Sequence, residues 1–182
     1  LSLLKNFETK TLNDQARAKA RGQCVKTAIG HTHYVTAGPA NGEPVLLVHG
    51  FAIPCHVWDE TIPVLAAAGY RVIAYDLMGR GYSDRPAAVY NLDYFVRQID
   101  ELLAALEITQ PINIVGYSMG GAIAARFAAH RPERVRRIAF IAPFNTAKSS
   151  GPLAVPLLGG LLTRAVVAPV MSTQLGIDFH RP

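Results

Sequence analysis

The sequence predicts an α/β fold, a single domain in which helices cover both faces of a mostly parallel, doubly wound sheet. Short apolar runs without alternation, typical of strands buried on both faces, recur through the middle of the chain. Segments with apolar residues three and four positions apart, typical of amphipathic helices, separate these runs. The length of 182 residues, with 50% hydrophobic residues, suffices for one domain with a substantial core and is short for two.

The elements follow one another in a regular order. Two short strands form a hairpin-like opening, predicted at residues 23–29 and 32–37. Strands with continuous apolar sequence are predicted at residues 44–48, 70–75, 111–115 and 137–141. Helices are predicted at residues 57–68, 91–107 and 121–129. Because strands and helices alternate, these strands are expected to run parallel, with right-handed crossovers.

The most informative motif is Gly-Tyr-Ser-Met-Gly at residues 116–120, between a predicted strand and a predicted helix. The pattern G-x-S-x-G arises by chance, but a buried strand before it and a helix after it are the setting of a nucleophile elbow. Glycines two positions before and after Ser118 let the strand and the helix approach closely around a strained turn. In the alternative interpretation, Ser118 only N-caps the helix.

The formal charge of +5 is concentrated near the N-terminus. The first thirty residues hold six basic and two acidic side chains, whereas the rest of the chain is nearly neutral. Residues 1–22 are interpreted as a basic lead-in, residues 23–146 as the core and residues 147–182 as the start of a cap or lid. The lead-in lacks interleaved aromatic residues and a nucleic-acid motif, so we expect a solvated segment and no nucleic-acid partner. Weak contact with a membrane surface is an open alternative.

Two cysteines, Cys24 and Cys55, show no C-x-x-C or cysteine-histidine ligand spacing. Neither a disulfide framework nor a metal site is expected. Cys55 is interpreted as a small buried residue, with a pocket thiol as the alternative. No signal peptide is visible in the sequence. The low cysteine count favours a cytoplasmic location but leaves the compartment open.

Four motifs occur in a fixed order after predicted strands or helices. They are His-Gly-Phe at residues 49–51, DLMGRGYSD at 76–84, GYSMGG at 116–121 and RPERV at 131–135. Together they resemble the α/β-hydrolase family, in its cap-bearing, serine-nucleophile branch of esterase and lipase type. The resemblance covers roughly residues 32–143. Independently of the resemblance, sheets of this kind bind ligands beyond the carboxyl ends of their strands, so we expect the site there.

The resemblance implies a mechanism for these residues. Ser118 would attack a carbonyl carbon and form an acyl-enzyme, with a histidine as base and a carboxylate to hold the imidazolium. The backbone N–H groups of Phe51 and Met119 would form the oxyanion hole. Each such donor is typically worth roughly 3 to 4 kcal/mol of transition-state stabilisation. The resemblance implies no cofactor and no metal.

Several other polar residues near these motifs are interpreted as structural. His49 is expected to brace its loop by hydrogen bonding rather than to act as a base. Asp76 and Asp84 are expected to bond nearby amides in a glycine-rich turn. Three further histidines, without a paired acid at meaningful spacing, are interpreted as surface or loop residues: His31, His33 and His56.

The rest of the catalytic triad is not apparent in the sequence. The acids and histidines that follow Ser118 are Glu133, Asp178, His130 and His180. The first pair of candidates, His130 and Glu133, would lie at the end of the elbow helix and in the turn after it, on the far side from Ser118. The second pair lies only two residues apart, which disfavours a line of carboxylate, imidazole and hydroxyl. We therefore expect the acid and base beyond residue 182, and slow or absent labelling of Ser118 in these 182 residues alone.

Residues 151–171 are apolar but contain prolines and an arginine, which fits the start of a helical cap over the site better than a membrane span. The favoured function is a serine hydrolase of carboxylic esters, either acylglycerols or small aryl and alkyl esters, and the apolar residues of this segment favour an apolar acyl group. The alternatives are a carbon-carbon bond hydrolase or aminopeptidase-like enzyme, a non-catalytic binding protein on the same fold, and a lipid-surface protein. A serine at the elbow argues against the branches that use aspartate there, the haloalkane dehalogenases and epoxide hydrolases. The oligomeric state and the natural substrate stay open.

Overall fold

The computed structural model describes residues 12–143. The strands are β1 (Gln23–Thr27), β2 (Gly30–Ala37), β3 (Pro44–Val48), β4 (Arg71–Tyr75), β5 (Ile112–Tyr117) and β6 (Val135–Ile141). The α-helices are α1 (Asp14–Ala18), α2 (Thr61–Ala67), α3 (Leu92–Ala105) and α4 (Met119–His130), and short 3₁₀ turns lie at Cys55–Trp58 and Pro132–Arg134. The predicted cap at residues 147–182 lies outside the described residues.

The six strands form one sheet in the order β1-β2-β4-β3-β5-β6. The hairpin β1-β2 joins the sheet antiparallel to β4, whereas β4, β3, β5 and β6 all run parallel. All five residues of β3 are buried, as its continuous apolar sequence predicts for a central strand covered on both faces. The predicted α/β class with a mostly parallel sheet is confirmed.

Two apolar layers hold the helices on the sheet. Side chains alternate along a strand, so Leu46 and Val48 of β3 face one layer while Val45 and Leu47 face the other. The first layer packs against α3 and α4 and includes Phe95, Ile99, Leu102, Ile123 and Phe127. The second packs against α2 and includes Trp58 and Ile62. Each fully buried side chain of this kind contributes roughly 1.5 to 3 kcal/mol.

The predicted helix at residues 57–68 is shorter than the periodicity indicates. The chain instead forms the 3₁₀ turn Cys55–Trp58 and starts α2 at Thr61. Pro63 explains the difference, because a proline has no N–H to donate to the carbonyl of Asp59 and its ring would clash there. In the observed helix Pro63 falls in the first turn, where the missing donor has no cost.

The longest helix, α3, begins as its sequence predicts. The Asn91 side chain accepts a hydrogen bond from the Tyr94 N–H at 2.8 Å, which caps the helix. Its apolar face packs on the sheet. None of the helices within residues 12–143 is long and apolar enough to cross a bilayer.

Candidate active site

Ser118 lies on the turn that joins the end of β5 to the start of α4. Its φ of 53° and ψ of −119° are unusual for a residue with a side chain, and such a conformation costs on the order of 1 to 3 kcal/mol. Its N–H donates to the Ile141 carbonyl at 3.0 Å, which ties the turn to β6. The Ser118 hydroxyl makes no cap hydrogen bond to α4. Ser118 stands at the N-cap position of α4, but its side chain caps no N–H group, so the alternative interpretation of Ser118 as only a capping side chain is wrong.

The glycines around Ser118 are required by close backbone contacts. A Cβ on Gly116 would lie 2.4 Å from the Gly120 carbonyl oxygen, and a Cβ on Gly120 would lie 2.2 Å from the carbonyl oxygen of Val48. Both distances are far below any tolerated contact. The absence of these side chains lets α4 begin directly against the end of β3, which places Ser118 at the carboxyl edge of the sheet.

The loop after β3 lies beside Ser118. A Cβ on Gly50 would be 3.2 Å from the Ser118 Cβ, so this loop and the elbow are in contact. Phe51 follows, with a side chain that is 54% exposed. Its carbonyl accepts from Arg80 Nε at 3.0 Å, and the guanidinium lies 4.8 Å from the centre of its ring. Arg80 thus contacts both the carbonyl and the ring of Phe51.

Met119 is the first residue of α4, where backbone N–H groups have no intrahelical acceptor. The two residues expected to supply the oxyanion hole, Phe51 and Met119, therefore lie on the two segments that meet at Ser118. Their role as donors stays a prediction.

His49 is fully buried and braces two loops. Its Nε2 accepts from the Leu77 N–H at 2.9 Å, and its Nδ1–H donates to the Gly50 carbonyl at 2.7 Å. These two contacts require the neutral ring with its hydrogen on Nδ1. Burial lowers the pKa of His49 from 6.5 to about 4. Both ring nitrogens are occupied, so His49 has the structural role expected for it.

Asp76 connects three segments at the same edge of the sheet. Its carboxylate accepts from the Cys55 N–H at 2.8 Å and from the Tyr82 N–H at 2.9 Å. Asp76 Oδ2 also lies 2.8 Å from His33 Nδ1. Despite burial, these bonds and the His33 charge hold the pKa of Asp76 below its ordinary value. The structural role expected for Asp76 agrees with these contacts.

The interpretation of His33 as a surface or loop residue without an acid partner is wrong. His33 is only 3% exposed and pairs with Asp76, 43 positions further along the chain. The pairing arises because β2 lies next to β4, with Tyr34 opposite Tyr75, so His33 and Asp76 are adjacent across the two strands. Strand order, which no local pattern reveals, brings them together.

His31 also has an acid partner, contrary to its interpretation from sequence. Its N–H donates to Asp84 Oδ2 at 2.7 Å, and its ring Nδ1 lies 3.1 Å from the same oxygen. The guanidinium of Arg17, from α1, pairs with Asp84 as well. His56 is exposed in a 3₁₀ turn, as predicted.

Within residues 12–143, one group has the chemistry of metal ligands, formed by His33, Cys55 and Asp76, whose ligand atoms lie within 4.8 Å of one another. Hydrogen bonds already occupy both carboxylate oxygens and both ring nitrogens. Burial and the nearby Asp76 charge raise the pKa of the Cys55 thiol, which keeps it protonated. The group is therefore better described as a buried ion pair with a neutral thiol beside it.

The candidates for base and acid after Ser118 do not reach it. His130 ends α4, and a helix of 12 residues spans about 18 Å. Its Nδ1 instead lies 3.9 Å from Asp93. Among the described residues, no histidine forms a hydrogen bond with the Ser118 hydroxyl. Asp178 and His180 lie outside those residues.

A serine on a strained strand-to-helix turn, at the carboxyl edge of a parallel sheet and beside a second loop, has the geometry of a nucleophile elbow. The sequence model of the alpha/beta hydrolase fold matches residues 43–166, and the chain belongs to that family.

The proteins similar to this chain are named for several different activities. A haloalkane dehalogenase of Psychrobacter cryohalolentis is 39% identical over 109 residues, which cover 59% of this chain and 36% of that protein. A non-heme chloroperoxidase of Streptomyces lividans is 32% identical, covering 68% of this chain and 46% of that protein.

Among solved structures, a variant of the meta-cleavage product hydrolase of Pseudomonas fluorescens IP01 superposes with a TM-score of 0.60 at 38% identity, covering 65% of this chain and 43% of that one. The chain spans less than half the length of each of these relatives.

Proposed function

We propose that the protein is a hydrolase of carboxylic esters that acts through an acyl-enzyme on Ser118. The observation that carries the proposal is the backbone at Ser118, which is held at positive φ with a hydroxyl that does not cap the helix. Strain at a single residue persists only where the surroundings enforce it. Here the close-packed glycines and the bond to β6 enforce it, which supports a role for the Ser118 side chain at the sheet edge.

The chemistry requires three further groups. As Ser118 Oγ attacks the ester carbon, its proton must pass to a base, since a serine hydroxyl is a weak nucleophile at neutral pH. We expect that base, a histidine, and its carboxylate partner outside residues 12–143. The carbonyl oxygen becomes an oxyanion, and the N–H groups of Phe51 and Met119 are proposed to bind it.

The identity of the nucleophile also limits the reaction. If serine displaced a halide from an alkyl carbon, the product would be an ether, which water does not hydrolyse under these conditions, and the enzyme would be consumed. An acyl group on serine is an ester and is released by water. The likeness to proteins named haloalkane dehalogenase therefore supports a shared scaffold, and Ser118 favours acyl transfer.

A small apolar ester is the proposed substrate. The half-exposed Phe51 follows Gly50, which contacts Ser118, and its ring would contact an acyl or alkyl group. A second candidate is hydrolysis of a carbon-carbon bond, favoured by the 38% identity to a meta-cleavage product hydrolase. Both reactions would use the same serine and oxyanion hole.

Steady-state kinetics on the full-length protein test this proposal. We expect hydrolysis of p-nitrophenyl butyrate, and a loss of kcat on the order of 10⁴-fold or more in Ser118→Ala. A parallel assay with a meta-cleavage product separates the two candidates by their ratio of kcat/KM. Full activity in Ser118→Ala would contradict the proposal, and the absence of any turnover would favour a non-catalytic binding protein.

A further inference from the structure

Both ring nitrogens of His33 face hydrogen-bond acceptors. Nδ1 lies 2.8 Å from Asp76 Oδ2, and Nε2 lies 2.7 Å from the Arg21 carbonyl oxygen. A neutral imidazole carries a hydrogen on one nitrogen only, so it would leave the other facing an oxygen lone pair. Two short contacts with two acceptors require the imidazolium. The His33 side chain is 4% exposed and that of Asp76 is 1% exposed, so the pair is a buried ion pair.

The Asp76 carboxylate, which is paired with His33, accepts hydrogen bonds from both loops at the site. Its bond from the Cys55 N–H anchors the loop after β3, four residues beyond Phe51. Its bond from the Tyr82 N–H anchors the loop after β4, which sends Arg80 Nε to the Phe51 carbonyl at 3.0 Å. One hydrogen bond to Asp76 therefore fixes the loop that carries Phe51, and a second fixes the loop whose Arg80 binds the Phe51 carbonyl.

We propose that His33, as a buried imidazolium, is a positioning residue for the oxyanion hole: it fixes Asp76, and Asp76 fixes the loop that presents the Phe51 N–H to the reacting carbonyl. This role rests on the proposed function of the site. His33 touches no reacting atom. Removing its charge would leave the Asp76 carboxylate buried without its partner and loosen both loops.

The surroundings of His33 make its charge sensitive to alkaline pH. The groups that face it are Asp76, the Cys55 thiol with Sγ 3.9 Å from Nδ1, and the Tyr82 ring with its centre 5.3 Å away. Burial lowers the pKa of His33, but the bond and charge of Asp76 and the Arg21 carbonyl outweigh it and raise the pKa above 6.5. The ion pair is complete below pH 6.5 and is lost as pH rises through that raised pKa. Ester turnover should therefore fall on the alkaline side with the same midpoint.

The test compares His33→Gln with His31→Gln in the full-length protein. His31 also contacts an aspartate through ring Nδ1, but it is partly exposed, and its partner Asp84 keeps the bond from the His31 backbone N–H in that variant. Within the described residues Asp84, unlike Asp76, accepts no bond from the loop after β3 that carries Phe51. We expect His33→Gln to lower kcat about 10- to 100-fold with KM changed less than about 3-fold, because a misplaced oxyanion donor acts in the transition state. His31→Gln should stay within about 2-fold of the parent. Equal effects in the two variants would overturn the proposal.

Two spectroscopic measurements keep the proposal testable apart from activity. In the parent protein at pH 6, ¹⁵N NMR should show both His33 ring nitrogens protonated, and a neutral ring would overturn the proposal even if His33→Gln fails to fold. If the full-length protein hydrolyses no ester, the proposed function fails on its own. Positioning is then judged by the Cys55 amide, which donates to Asp76 and whose hydrogen exchange should accelerate at least 10-fold in His33→Gln and not in His31→Gln. An unchanged Cys55 amide would overturn the positioning role.

Discussion

Gly120→Ala tests whether the elbow depends on close backbone contact. In an ordinary helix this change would raise stability by about 1 kcal/mol, because alanine is the better helix former. Here the new Cβ would lie 2.2 Å from the Val48 oxygen and 2.6 Å from the His49 oxygen. To relieve this overlap, α4 and the end of β3 would have to separate by about 1 Å, judged from those distances.

The expected loss of stability in Gly120→Ala depends on which atoms must move to make room for the new Cβ. Overpacking costs typically 1 to 3 kcal/mol, and the upper end applies because the obstacles are backbone atoms of the central strand. After the gain in helix propensity, we expect a net loss of about 2 kcal/mol. Urea unfolding measures it, monitored by circular dichroism and by fluorescence of Trp58, the single tryptophan, which is 4% exposed.

The control is Ala125→Gly on the exposed face of the same helix, which should cost about 1 kcal/mol through propensity alone. A Gly120→Ala variant as stable as the parent, or more stable, would refute the close-contact account of the elbow.

Two further predictions concern stability. Ser118→Gly should be about 1 kcal/mol more stable than Ser118→Ala in urea unfolding, because glycine relieves the positive φ; equal stabilities would show that the turn is not strained. The pKa of His49 is about 4 in the folded protein and 6.5 in the unfolded chain. The neutral ring therefore stabilises the fold fully above pH 6.5, and this contribution is lost as pH falls from 6.5 to 4. This pKa shift corresponds to about 3 kcal/mol of unfolding free energy. The loss of stability between pH 6.5 and pH 4 should therefore be smaller by about that amount in His49→Gln than in the parent. Identical profiles of stability against pH in the two proteins would contradict the buried neutral ring.

Most of the fold could be predicted because the signals for strands and helices lie within short stretches of sequence. Continuous apolar runs mark buried strands, as in β3, and three-and-four spacing marks α3. The elbow was also predictable, since it requires glycine at fixed positions on a strand-to-helix turn. The start of α2 could have been placed from Pro63, whose missing N–H prevents the helix from extending further back.

The His33–Asp76 pair was missed for a physical reason. Its two members lie 43 positions apart and meet only because β2 pairs with β4, an arrangement set by the sheet topology. Periodicity describes which face a residue occupies, and it does not describe which strand lies alongside. One signal was available: His33 falls within a predicted strand, where an ionisable side chain on a buried face needs a partner.

The most direct test of the central claim is covalent labelling of the full-length protein with a fluorophosphonate, followed by intact mass and peptide mapping. The account predicts one adduct per chain, on Ser118, and no adduct in Ser118→Ala. Labelling at another residue, or none in the folded full-length protein, would contradict the assignment of Ser118 as the nucleophile.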